Sequence, residues 1–146
     1  MKNPTELEGV LRKMAQRGGN PIVTMGFNSA EALDKIAKEL PKSNFVIIDS
    51  EVKQPNVKSV QFREQEGSFL VGALAAMKST SGKVGFVGGM DIPVIRKFSC
   101  GYEQGAKYAN PKAEVIKSTV GTTGEAWNNP TKGGELAKAQ FDRGVD

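Results

Sequence analysis

A chain of 146 residues, 38% hydrophobic and 25% charged, has the size and composition of one ordinary globular domain with a sizeable core. Its lack of any histidine excludes Ser-His-Asp and Cys-His catalysis, and its single cysteine excludes an internal disulfide. The net charge of +4 is spread among acids rather than gathered into a basic stripe, so nucleic acid is not an expected partner.

The chain opens with Met-Lys-Asn-Pro and passes straight into a helical pattern without an apolar run, so no signal peptide is expected within it. Thr5 followed by Glu8 reads as a capping box. Leu7, Val10, Leu11 and Met14 then repeat at helical spacing, and Gly18-Gly19 stops the helix. Residues 21–25 form a short apolar strand closed by Gly26. Asn28 and Glu31 offer a second cap, and Leu33, Ile36, Ala37 and Leu40 give the next helix its apolar face before Pro41. A buried strand follows over 45–48, with Asp49 just beyond its last apolar residue. Pro55-Asn56 marks a turn ahead of a strand over 57–62.

The pattern then restarts. A helix over 66–78 is apolar on most sides and is predicted to be sandwiched. After a polar turn at 79–82 comes a strand over 84–87, then Gly88-Gly89, then a helix reaching Tyr108. Gly101 and Gly105 lie one turn apart, which predicts that one side of this helix approaches the sheet closely. Cys100, in mid-helix among small and aromatic residues, reads as a plain buried thiol. A strand over 114–120, a turn-rich loop over 121–130 and a helix over 131–143 complete the chain, with Gly144 closing it.

Helices alternate with short strands throughout, the signature of a parallel sheet covered by helices. The chain begins on a crossover helix and stops where another strand is due, so it is expected to be an internal piece of a larger protein. In open α/β folds, ligands bind beyond the carboxyl ends of strands, and the candidates fall there. Asp49 either accepts hydrogen bonds from a polar ligand or forms a turn. Asp91 either caps the following helix, with Pro93 in its first turn, or reaches into a cleft. Phe27, after Gly26, is a cleft aromatic or a residue packed under a loop. Trp127 stacks on a ligand or anchors its own loop. No dinucleotide fingerprint, phosphate loop or calcium-type carboxylate cluster is present, so no cofactor and no metal is expected.

Two long motifs carry a resemblance. Gln65-Glu66-Gly67-Ser68-Phe69-Leu70, followed by Gly82-Lys83-Val84-Gly85-Phe86-Val87-Gly88-Gly89-Met90-Asp91-Ile92-Pro93, is similar to the signature of the basic membrane protein family. Gly124-Glu125-Ala126-Trp127-Asn128-Asn129-Pro130, with Lys132-Gly133, matches the same family, as does Gly26-Phe27. These are substrate-binding lipoproteins of ABC transporters, similar to the purine-nucleoside receptor of spirochaetes. The resemblance implies a type I periplasmic-binding-protein architecture: two α/β lobes, both incomplete here, with residues 1–62 in the first and 63–146 in the second. It implies a non-enzymatic receptor whose purine base stacks on Trp127 and whose ribose meets Asp49 and Asp91, with Gly26, Phe27 and Met90 beside them. It further implies delivery to ABC permease subunits from the periplasm or cell surface. The effector domain of a transcription regulator shares this fold and is the alternative. The family's first strand and helix have no counterpart in the chain, so weak ligand binding and self-association through exposed sheet edges are expected.

Overall fold

The computed structural model describes residues 4–146, and the chain divides after Phe62 into two units. In the first unit, α1 (Pro4–Gln16) ends in the glycine pair. Gly18 takes φ +81, its N–H donates to the Ala15 carbonyl (2.9 Å), and that of Gly19 donates to the Met14 carbonyl (3.0 Å). Glycine is needed there because a side chain disfavours that left-handed backbone. Because α1 already includes Pro4, Thr5 lies inside its first turn rather than ahead of the helix, where the capping-box reading puts it.

Strands β1 (Ile22–Met25), β2 (Phe45–Ile48) and β3 (Val57–Val60) form a parallel sheet in that order, with Ile22, Phe45 and Val57 in register. Helix α2 (Ala30–Glu39) joins β1 to β2. It is entered through a 3-10 turn over Phe27–Ser29, so Asn28 lies within the turn rather than at the helix cap. Ser29, next to α2, donates its hydroxyl back to the Met25 carbonyl (2.8 Å).

Leu11 of α1 and Leu33 and Ile36 of α2 close on Ile22, Phe45 and Ile47, all essentially buried. The alternation of strand side chains sends Val23 and Met25 to the other face, where they are exposed. Strand β3 is shorter than its apolar pattern suggests. The Asp49 N–H donates to the Val60 carbonyl (2.8 Å), and Gln61 and Phe62 lie beyond the strand. Residues 49–56 join two parallel strands without a helix, and Val52 from this segment fills the core. Asn56 fixes its end by donating from Nδ2 to the carbonyls of Ala37, Leu40 and Ser43 (3.0, 3.1 and 2.9 Å).

The second unit contains α3 (Glu64–Lys78), β4 (Lys83–Gly88), α4 (Pro93–Ala109), β5 (Glu114–Thr119) and α5 (Pro130–Asp142). Strands β4 and β5 pair in parallel from Lys83–Glu114 to Gly88–Thr119. Val84 and Phe86 pack with Tyr102 and Ala106 of α4. Gly85, on the opposite face, lies under Gln140 of α5, which is buried and donates to the Phe86 carbonyl (3.1 Å) and Ser118 Oγ (2.9 Å).

Three expectations are corrected here. Gly101 and Gly105 allow close approach to α3, not to the sheet: a β-carbon on either would overlap the backbone carbonyl of Gln65 or Phe69. Gly72 of α3 answers from the other side, against the carbonyl of Tyr102. Helix α3 is therefore locked to α4 on one side but not sandwiched, and Leu70, Val71, Leu74 and Met77 are exposed. Cys100 is exposed as well, not a buried thiol. Among the described residues, no helix is long and apolar enough to cross a membrane.

Candidate functional site

At the carboxyl edge of the first sheet, β1 runs into Gly26 and β2 into Asp49. The Gly26 N–H donates to the Ile48 carbonyl (2.8 Å), while Gly26 itself turns with φ +79. That conformation releases the chain into the 3-10 turn carrying the half-buried Phe27. Asp49 has φ +62, the one left-handed non-glycine among the described residues. Aspartate tolerates this region better than most residues but still at a cost. Its side chain is exposed, and its backbone closes the ladder to β3. The rim thus brings Gly26, Phe27 and Asp49 to one edge.

The second unit builds its rim around Gly88-Gly89. Val120 and Gly121 donate backbone N–H groups to the carbonyls of Gly88 and Gly89 (2.9 and 3.1 Å), which carries the β4–β5 alignment past the last strand pair. A β-carbon on Gly88 would come 2.9 Å from Ile95 in the first turns of α4, and one on Gly89 would come 2.7 Å from the ring of Trp127. The two glycines therefore admit a helix against one residue and an indole against the next. Trp127 belongs to a 3-10 turn over Gly124–Asn128 and remains 40% exposed. It is seated on the rim and still offers ring surface outward.

Asp91 does not cap α4. Ile92 occupies the cap position in extended conformation, Pro93 begins the helix, and no side chain caps it. The Asp91 carboxylate instead accepts from Arg96 twice, Oδ1 from Nε at 2.6 Å and Oδ2 from Nη2 at 2.9 Å. These bonds hold the Asp91 carboxyl below the usual aspartate range and raise the Arg96 guanidinium. Met90, Asp91, Ile95, Arg96, Ser99 and Lys117 help line an open recess of about 290 Å³ beside this pair. Lys117 is itself bound to Glu103 (2.7 Å).

Sequence reasoning missed Arg96. A cation in the first turns of a helix opposes the helix dipole, and that is the signal that an acid lies nearby. The structure brings Met90 and Asp91 to one recess, while Trp127 occupies the flank of Gly89.

A parallel sheet whose carboxyl edge gathers glycines, an aromatic and an exposed acid has the layout at which open α/β proteins bind ligands. The chain belongs to the family described as ABC transporter substrate-binding protein PnrA-like, whose model matches residues 3–146. It is 38% identical over 132 residues to the ABC transporter nucleoside-binding protein BmpA of Lactococcus lactis, covering 90% of this chain and 36% of that one. A crystal structure of an ABC transporter solute-binding protein from Aeropyrum pernix superposes with a TM-score of 0.80 at 32% identity, covering 99% of this chain and 42% of that one. A transcriptional activator of the comK gene from Bacillus halodurans gives 0.73 at 27%, covering 99% and 48%. The chain spans 34% to 41% of the length of the curated relatives it matches. The family is one of substrate-binding proteins, not of enzymes.

Proposed function

We propose that this chain is part of an extracytoplasmic receptor, a lipoprotein of an ABC importer, that binds a purine nucleoside and hands it to the permease. The observation that carries this reading is Trp127, seated on Gly89 at the end of β4 with its ring partly open. A planar heteroaromatic base suits an indole face. Asp49 and Asp91 are the acids suited to ribose hydroxyls, since a carboxylate accepts from both members of a diol. Gly26 and Phe27 shape the rim beside Asp49 in the first unit, and Met90 shapes the rim beside Asp91 in the second. The nucleoside-binding relative from Lactococcus lactis supports the ligand class. Calorimetric titration of guanosine, inosine and adenosine into the protein extended to its relatives' length tests the proposal. Binding of at least one supports it, whereas heat only with a sugar or an amino acid overturns it.

The likeness to the comK activator favours a second reading, an effector-sensing domain of a transcription regulator. Specific retention of a DNA duplex by the extended protein, released on adding a nucleoside, would select it.

A further inference from the structure

The Asp91–Arg96 pair is hard to explain as a stabilising device. Both side chains are 66% exposed, and an ion pair in that setting adds little to stability. Arg96 also sits where the helix dipole disfavours a cation: its N–H donates to the carbonyl of Ile92, the cap of α4, so it lies one turn from the amino end. An unfavourable residue at an exposed position calls for another reason to be there. Its geometry supplies one. The guanidinium reaches back over the start of the helix and forks onto the carboxylate, one nitrogen to each oxygen, fixing the carboxylate plane relative to α4. A carboxylate has about four lone-pair sites, and the fork uses two. The remaining two stay available to donors, and both residues line the recess at the end of β4.

We infer that Arg96 is a positioning residue for the solute: it presents Asp91 as an oriented, doubly accepting carboxylate to a pair of donors such as a vicinal diol. This rests on the proposed nucleoside reading and adds to it a residue that need not touch the ligand. The charged groups around Asp91 are Arg96 on α4 and, across the recess, Lys117 of β5 with its partner Glu103 of α4. Lys117 is held by Glu103 and gives Asp91 no second fork. Removing Arg96 therefore frees the carboxylate to rotate, and removes the hydrogen bonds that keep it ionised in acid.

The test uses the protein extended to its relatives' length, titrated with inosine and with 2′,3′-dideoxyinosine from neutral pH down to about pH 3, below the ordinary aspartate pKa. Arg96→Ala is expected to weaken inosine about tenfold, the scale of one charge-assisted hydrogen bond, and to leave the dideoxy analogue nearly unchanged. Arg96→Lys restores charge without the fork and is expected to recover only part of the loss. Inosine affinity of the Arg96→Ala protein should also fall away at a higher pH than that of the parent. Inosine affinity and pH profile both unchanged in Arg96→Ala would overturn the inference while leaving the nucleoside reading intact. A parent protein that binds neither nucleoside would overturn both.

Discussion

The ring of Trp127 rests against the backbone of Gly89, where even one added carbon would come within 2.7 Å of it. Loop anchoring and ligand stacking are thus not exclusive readings of this tryptophan. The glycine holds one part of the indole, and the residue remains 40% exposed.

Trp127→Ala is expected to weaken nucleoside binding by about 1 kcal/mol or more, the scale of one aromatic contact. Gly89→Ala leaves the indole in the chain but displaces it, so it should cost a comparable amount without removing an aromatic. Calorimetry on the extended protein reads both. Unchanged affinities would leave Trp127 as a loop anchor alone.

Asp49 separates conformation from contact. Asp49→Gly suits φ +62 and should leave the melting stability of the first unit within about 1 kcal/mol, since relieved strain offsets added chain entropy. If the carboxylate accepts from the solute, the same change lowers affinity about tenfold. An affinity that does not move would make Asp49 a turn residue only.

Gly105→Ala is expected to destabilise the second unit by about 3 kcal/mol, because the new methyl meets the Phe69 carbonyl and the Ala73 nitrogen, both backbone atoms. Gly133→Ala is the control. Nothing lies near that position, which is inside α5, so alanine should stabilise by about 0.5–1 kcal/mol through helix propensity. Denaturant melts of the two variants should shift in opposite directions.

Acid should loosen the second unit through Asp146. Its carboxylate accepts from the hydroxyls of Ser79, Thr80 and Ser81 and from the N–H groups of Thr80 and Ser81. Those bonds, the Ser79 hydroxyl foremost, hold its pKa far below the ordinary 3.8. A folded-state pKa below the unfolded one means the contribution is present above about pH 3.8 and disappears as pH falls toward the folded value. Asp146→Asn should therefore melt lower than the parent at pH 6, and the gap should narrow as the pH drops below 3.8. A constant gap across that range would show that the carboxylate charge is not responsible.

Strands β1, β2 and β4 were legible because each is a short, largely apolar run stopped by glycine or a polar residue, as in Phe-Val-Ile-Ile before Asp49. The candidate rims followed, since strand ends are fixed once strands are. Contact partners were not legible. Gly101 and Gly105 announce that something comes close, but spacing alone does not distinguish a sheet from α3. Exposure of Cys100 likewise depends on which side of α4 that neighbour takes. The link from Asp91 to Arg96 spans a turn and a helix start, and so falls outside the three- and four-residue spacings by which helical pairs are read. Pro55-Asn56 spells a turn, but the role of Asn56 in gathering three carbonyls from the end of α2 and the loop after it depends on a tertiary approach.

With hydrogen as the only tolerated side chain at Gly72, Gly101 and Gly105, α3 and α4 are geared together and cannot slide separately. The ion pair from Lys97 to Glu64 (3.5 Å), the first residue of α3, adds a tie near the same end. Asp91 is thus tied by Arg96 to α4, and α4 by its glycines and Lys97 to α3, so the recess and the beginning of the unit share one tightly packed pair of helices.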